Sequence, residues 1–393
     1  MISISRLLCD TVSPGDNLRY RPVSVDRAMN NISKPDVPRP VVVWNCTKHC
    51  NLSCVHCYAS AGNTGTIDEM STRQGMNLIE ELAEFGVPVI LFSGGEPLLR
   101  KDIFDLARHA ANRKLRVALS TNGTLITRKT AEVIRDIGFA EVGISLDGIG
   151  DSNDRFRGKK GAFEKAIKGI RNCVACGVRV SLRLTITNYN HEEIPAIFQL
   201  VEEEGINRVC FYHLAYSGRG KELQEFDVTH AQTRRALDII CEHTLDMHKR
   251  GLNKEILTVG NHADGVYLYI KLLKQDSEKA NTILELLKLN GGNNSGIRIG
   301  AIDELGNVHP DQFWQHYSLG NAIARKFGDI WADTSEPLLQ KLRDRKRWIT
   351  GRCASCKYIN LCNGNLRVRA EAVYEDIWAS DPACYLSDEE IGI

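Results

Sequence analysis

Three cysteines fall within eight residues, as Cys50-x3-Cys54-x2-Cys57. Four more sit near the end, as Cys353-x2-Cys356-x5-Cys362 with Cys384 after a further 21 residues. Thirteen cysteines in all are many for a cytosolic chain, where disulfides rarely persist. Clustered thiols there read as metal ligands. The first set supplies three thiolates from one loop, whereas an ordinary [4Fe–4S] site takes four. Three ligands leave one iron open, and an open iron can chelate a small molecule through an amine and a carboxylate. The competing reading is a structural zinc site, which wants four tetrahedral ligands; His49 or His56 would complete that set. Cys46 breaks the x3–x2 spacing and reads as a packed thiol at a strand end. The second set has four thiols and so makes a coordinatively closed site, for a second cluster or for zinc. Cys384 is its most remote ligand. Cys173 and Cys176 lie inside an apolar helical pattern and read as buried thiols, while Cys9, Cys210 and Cys241 are isolated.

Elements must position these ligands. From Val41 onward, short β-branched or apolar runs alternate with segments of helical spacing. Residues 41–45, 88–93, 116–120, 141–146, 179–186 and 208–213 read as buried parallel strands. Residues 72–85, 102–113, 126–137, 162–176 and 192–204 read as the helices between them. Six βα units in series predict an α/β fold, a partial (β/α)6 parallel barrel. The active site of such a barrel lies at the C-terminal ends of its strands. Every polar motif lands there. The cysteine loop follows the first strand, Ser93-Gly94-Gly95-Glu96-Pro97 the second, Thr121-Asn122-Gly123 the third and Asp147-Gly148 the fourth. Thr187-Asn188-Tyr189-Asn190 follows the fifth, and the sixth ends at Tyr212-His213.

Pro14, Pro22, Pro35, Pro38 and Pro40 break any long helix near the start, so residues 1–39 are expected to form an irregular lead-in that wraps the domain. Residues 229–250 read as a helix, followed by a turn near Gly260–Gly265 and more helix to about Leu289. The run Gly291-Gly292-Asn293-Asn294-Ser295-Gly296 marks a boundary between the barrel with its helical extension, 40–290, and a small C-terminal α+β module, 291–393. That module opens with a hairpin, Ile297–Ile302 and Val308-His309 about a Leu305-Gly306-Asn307 turn.

Composition narrows the function classes. Fifty basic residues against 49 acidic ones leave no basic field for nucleic acid or an anionic membrane. MISISRLLCD lacks the n-region and h-region of a signal peptide, and no run of about 18 apolar residues is present. A cytoplasmic protein is expected.

The loop CNLSCVHCY resembles the signature of the radical SAM superfamily, whose members bind S-adenosylmethionine (SAM) on the open iron of a [4Fe–4S] cluster. By that resemblance Cys50, Cys54 and Cys57 hold the cluster, with Tyr58 beside it. Gly94-Gly95-Glu96-Pro97 is similar to the family's glycine-rich stretch, whose backbone and acidic side chain receive the SAM amino group. A carboxylate facing an ammonium beside glycine-bared backbone suits that role. Asn122, Ser145 and Asp147 match positions that reach the ribose or methionyl carboxylate, and Arg183 is placed to meet that carboxylate. Cys353, Cys356, Cys362 and Cys384 resemble the auxiliary-cluster domain of many members in its one-cluster form, because Pro310-Asp311 stands where the longer form has a cysteine. Two [4Fe–4S] clusters are therefore expected.

The resemblance extends over almost the whole chain to the tetrapyrrole-tailoring branch. VVVWNCTKHCNLSCVHCY, SGGEPLLR, GISLDGIGDSNDRFRG, GNVHPDQFW and DPACYLSDEEIG carry it. Members of this branch act on 12,18-didecarboxysiroheme. One kind removes two acetate side chains to give iron-coproporphyrin III for haem; the other, NirJ-like, acts on propionate side chains toward haem d1. The MISISRLLCDTVSPGDNLRY start and the NCTKHC loop are more similar to the deacetylase, although no residue chemically selects acetate. The implied chemistry is hydrogen abstraction from a side-chain carbon by a 5′-deoxyadenosyl radical. A donor such as ferredoxin or flavodoxin would supply electrons, and the auxiliary cluster would carry the one released. A substrate iron wants an axial ligand and its carboxylates want arginines. His213, His262, His309 and His316 are candidates for the first, and Arg219, Arg298 and Arg367 for the second. Trp314 and Tyr317 would pack on a macrocycle face or fill the module's core. Two other readings stand. A peptide-modifying radical SAM maturase commonly carries a peptide-recognition domain, for which residues 1–39 look too short; a non-enzymatic electron carrier or tetrapyrrole-binding scaffold needs neither Glu96 nor an open iron.

Overall fold

The computed structural model describes residues 1–20, 37–64 and 68–393; Pro22 and Pro35 lie outside them. Runs such as Val41–Asn45 and Val89–Ser93 offer water almost no polar side chain, so they pair inside a sheet. Seven strands run parallel in chain order: β2 (Val41–Asn45), β3 (Val89–Ser93), β4 (Arg116–Thr121), β5 (Glu141–Ser145), β6 (Val180–Ile186), β7 (Arg208–His213) and β8 (Glu255–Val259). The first six are the expected strands. The seventh was not anticipated, because a run as short as Glu-Ile-Leu-Thr-Val reads equally well as buried helix, and only pairing with β7 decides it.

The sheet does not close. At one edge β1 (Ile2–Ser3) adds antiparallel to β8; at the other β9 (Ile299–Ile302) adds parallel to β2. β10 (Asn307–His309) and β11 (Gly320–Asn321) follow β9 antiparallel, making an open, partial barrel of eleven strands. Two expectations change. The lead-in is not irregular throughout, since it supplies β1 and a helix, α1 (Ile4–Cys9), capped by the Ser3 hydroxyl. The hairpin at 297–309 is where expected, but its first strand satisfies its backbone on β2, so the sheet crosses the boundary near residue 290.

Helices α2 (Thr72–Phe85), α3 (Ile103–Asn112), α4 (Arg128–Ile137), α5 (Asp151–Arg157), α6 (Ala162–Ala175) and α7 (Ile194–Glu203) fill the crossovers. α8 (His230–Lys249) precedes β8, and α9 (Ala263–Leu273) and α10 (Ser277–Asn290) follow it. α2 shows the logic. Ser71 and Gln74 close a reciprocal capping box, Gly86 ends the helix at φ +85°, and Leu78, Ile79, Leu82 and Phe85 form its buried face. Each such burial is worth roughly 1.5–3 kcal/mol, so the stripe holds the helix in place. At the N-terminal ends of the strands Glu255 receives Arg19 and Arg179 at 2.7 Å and Arg208 at 2.6 Å, tying the N-terminal segment to β6, β7 and β8. Among the described residues no helix is long and apolar enough to cross a membrane.

Candidate active site

At the opposite ends of the strands the loops enclose a cleft of about 1170 Å³, its open mouth included. Cys50, Cys54 and Cys57 all line it, together with Tyr58, Gly94, Gly95, Asn122, Ser145, Asp147 and Arg183. Motifs from five strand ends thus meet in one place.

Backbone bonds dock the cysteine loop. Cys50 N–H donates to Gly62 O at 2.7 Å, Gly95 N–H to Thr47 O at 2.7 Å and Glu96 N–H to His49 O at 2.8 Å. That approach requires glycine. A Cβ at Gly95 would stand 2.3 Å from His49 O, and one at Gly94, where φ is +129°, 2.4 Å from Thr47 O. The pair therefore seats the cysteine loop on the end of β3, a role not foreseen from sequence.

The other SAM candidates are already engaged by the chain. Glu96 is fully buried and is not among the residues lining the cleft; its carboxylate accepts from Thr121 Oγ1 and Asn122 N at 2.8 Å and from Leu98 N at 3.0 Å. Burial pushes that carboxyl upward against its three donors. Asn122 Nδ2 donates to Asn51 Oδ1 at 2.8 Å and lies 4.0 Å from Cys50 Sγ. The Tyr58 hydroxyl meets Asn45 Oδ1 and Ser93 Oγ, each at 3.1 Å, and Arg183 Nη1 donates to Ser120 Oγ at 2.7 Å. Asp147 Oδ1 accepts from Thr185 N at 2.7 Å.

One site residue escapes the sequence reading, and another has a different role from the one expected. Arg157, at the end of α5, donates to Cys54 Sγ at 3.6 Å and is ion-paired with Asp147 Oδ2. The run Asp151–Arg157 carries no apolar stripe by which to recognise a helix, and a thiol partner 103 residues away is invisible in sequence. Arg219 was read as a substrate-carboxylate partner; instead its guanidinium donates to Cys54 O at 2.8 Å and Ala61 O at 2.9 Å, bracing the cysteine loop.

Of the other substrate candidates, His213 lines the cleft. Its Nε2 lies 2.9 Å from Asp264 Oδ2, and Asp264 Oδ1 accepts from the Tyr385 hydroxyl at 2.8 Å. The rest do not line it. His309 is buried against Tyr317 O at 2.8 Å, His262 meets the Met1 amine at 3.0 Å, and His316 faces Glu371 on the surface at 2.9 Å. Arg298 is buried beside β2, where its carbonyl accepts from Val41 N at 2.9 Å, and Arg367 is turned onto the carbonyls of Gly364, Ile377 and Ala379. Trp314 is fully buried among Ala215, Leu338, Leu342, Leu366 and Val368, so its faces serve the module's core.

Cys353, Cys356, Cys362 and Cys384 line a second, much smaller cavity, walled by Val266, Leu386 and Ile391. Tyr358 N donates to Cys356 Sγ at 3.4 Å and Arg352 Nη1 to Cys384 Sγ at 3.5 Å. Burial pushes Cys50 and Cys384 up to about 11, so both thiols must lose protons on taking a metal. Thiol-only donor sets with N–H groups aimed at sulfur fit iron–sulfur clusters at both sites.

A family model for the Radical SAM superfamily matches residues 44–201. The chain is similar to a protein of Methanosarcina barkeri named Fe-coproporphyrin III synthase, 52% identical over 100% of this chain and 99% of that one. It is also similar to the pre-heme d1 synthase of Dinoroseobacter shibae, 41% identical over 90% and 88% of the two chains. In fold it is similar to Streptococcus suis SuiB bound to S-adenosylmethionine, with a TM-score of 0.71 at 19% identity over 89% and 78% of the two chains.

Proposed function

This chain belongs to the radical SAM superfamily, and from that premise we propose that it removes the two acetate side chains of 12,18-didecarboxysiroheme to give iron-coproporphyrin III. The observation that carries this reading is the 52% identity, over essentially both full lengths, to a protein named for that product. The relative named for pre-heme d1 is matched less closely, at 41%.

Cys50, Cys54 and Cys57 would hold a [4Fe–4S] cluster, which with SAM would supply radical hydrogen abstraction from a side-chain carbon. The chain's own residues position and shield that chemistry. Arg183 is a half-buried cation of the cleft wall available to a methionyl carboxylate, and Ser145 and Asn122 line the cleft at neighbouring strand ends. Tyr58 is a neutral donor at the cleft wall, its phenol pushed up to about 12 by burial. His213 is the imidazole placed to ligate a substrate iron, with Asp264 orienting the ring as carboxylates commonly do for metal-binding histidines.

The C-terminal module, 291–393, holds a second [4Fe–4S] cluster on Cys353, Cys356, Cys362 and Cys384. A ferredoxin or flavodoxin supplies electrons in the cytoplasm.

Anaerobic reconstitution, then reaction with SAM, reductant and 12,18-didecarboxysiroheme, tests the assignment by mass spectrometry. Loss of two acetate groups with 5′-deoxyadenosine formed is expected. Loss of propionate carbon would move the chain to haem d1 chemistry, and an untouched tetrapyrrole would overturn the substrate.

A further inference from the structure

Two backbone hydrogen bonds and one ring contact bring α5 against the cysteine loop. Ser53 N–H donates to Arg157 O at 3.2 Å, Val55 N–H donates to Phe156 O at 3.0 Å, and the His56 ring packs on Phe156 with centroids 4.6 Å apart. This docking carries the Arg157 side chain, 9% exposed, into the wall behind Cys54. One arm of the guanidinium donates to Cys54 Sγ at 3.6 Å and the other pairs with Asp147 Oδ2. Asp147, itself 1% exposed, is fixed in turn by Thr185 N–H on Oδ1 at 2.7 Å, and its backbone N–H donates to Asn153 Oδ1 at 3.0 Å. The His56 ring stands nearby, its Nε2 3.5 Å from Asp147 Oδ2. Arg219 also stands close, but its N–H groups go to the carbonyls of Cys54 and Ala61 rather than to sulfur.

A buried ion pair with one end on a ligand sulfur does more than hold a loop. Hydrogen bonds to cluster sulfur and nearby positive charge favour the reduced, more negative state. We propose that Arg157, oriented by Asp147, is a positioning residue that raises the reduction potential of the cluster carried by Cys50, Cys54 and Cys57. The assignment rests on the reading that these three cysteines hold a [4Fe–4S] cluster. Its consequence is that an electron donor loads this cluster more readily than an otherwise identical site lacking the guanidinium. Asp147 then belongs to the electrostatics of the cluster, apart from any contact it makes to SAM.

The sign of the effect distinguishes this from a structural role. R157Q removes an N–H···S bond and leaves the Asp147 carboxylate uncompensated beside the cluster; both changes lower the potential. D147N leaves the guanidinium uncompensated and raises it. The full-length protein and its R157Q, R157K and D147N variants are reconstituted anaerobically. Each is then titrated electrochemically with electron paramagnetic resonance, following the reduced signal that responds to added SAM, alongside iron and sulfide content. The expected result is full iron content, a lower potential for R157Q, a smaller fall for R157K and a higher potential for D147N. Intact clusters that titrate with the wild type, or R157Q and D147N moving the same way, would overturn the assignment. Should R157Q fail to take up a cluster, the direction of the D147N shift decides. A wild-type protein with no SAM-responsive [4Fe–4S] signal would instead remove the cluster reading itself, and this assignment with it.

Discussion

Asn122 N–H donates to Glu96 Oε2 at 2.8 Å, joining the loops after β3 and β4 behind the cleft rather than across it. Thr121 Oγ1 and Leu98 N complete three donors on one buried carboxylate. Glu96→Gln would turn an amide N–H2 toward those donors, at a cost of about 1–3 kcal/mol. The expected outcome is a melting temperature lower by several degrees together with weaker SAM binding, because Asn122 shifts. Calorimetric titration with SAM and thermal unfolding check this. Lost SAM affinity at an unchanged melting temperature would mean that the carboxylate acts on SAM directly.

Gly143 makes room for Arg183. A Cβ there would stand 2.3 Å from Arg183 Cζ, so Gly143→Ala must push the guanidinium off Ser120. If Arg183 receives the methionyl carboxylate, SAM binding should weaken by about tenfold, equivalent to about 1.4 kcal/mol. Iron content should hold, since Gly143 touches no cysteine contact described above.

Removing one auxiliary ligand should leave the SAM cluster in place. Cys384→Ala is expected to cut iron from about eight to about four atoms per chain, while the SAM-responsive resonance signal survives. Loss of zinc with no change in iron would identify the second site as a zinc knuckle.

His213 can be probed without turnover. Iron tetrapyrrole bound to His213→Ala should lose the visible spectrum of an imidazole-ligated iron, and Asp264→Asn should shift that spectrum by loosening the ring at its 2.9 Å contact. Identical spectra for all three proteins would exclude His213 as the axial ligand.

Glu255 predicts acid sensitivity at the N-terminal ends of the strands. Burial alone would raise its pKa, but Arg19, Arg208 and the Ser13 hydroxyl outweigh it and hold the carboxyl at about 2, below its ordinary 4.5. A depressed folded-state value means that the stabilisation is complete above 4.5 and is lost as pH falls toward 2. Its size is on the order of 3 kcal/mol. Unfolding followed from pH 6 to 2 should therefore steepen near the acid end, and Glu255→Gln should flatten that slope while lowering stability at pH 6.

Much of this was legible along the chain. Val41–Asn45, Glu141–Ser145 and Arg208–His213 announce themselves because a strand buried on both faces is apolar and β-branched throughout. The cysteine spacings and the polar motif after each strand are equally local facts. β8 was not legible, because its five residues have no period of their own, and β1 was hidden in a stretch that prolines made look irregular. The histidines and arginines proposed for substrate were indistinguishable in sequence; fold placement separated His213, at a strand end, from Trp314 and Arg367, which a small core and three carbonyls consume.

The amino-acid sequence by itself determined the alternation of strand and helix, the two thiol sets and the family to which they belong. Those depend on residue type, spacing and period, which survive in one dimension. Tertiary structure alone decided that Gly94 and Gly95 seat the cysteine loop, that Glu96 faces inward, and that Arg157 meets Cys54 while Asp147 holds it. Cys54 and Arg157 are 103 positions apart along the chain. Contacts of that kind are made by whichever side chains the closed loops deliver to one point, and no local pattern records them.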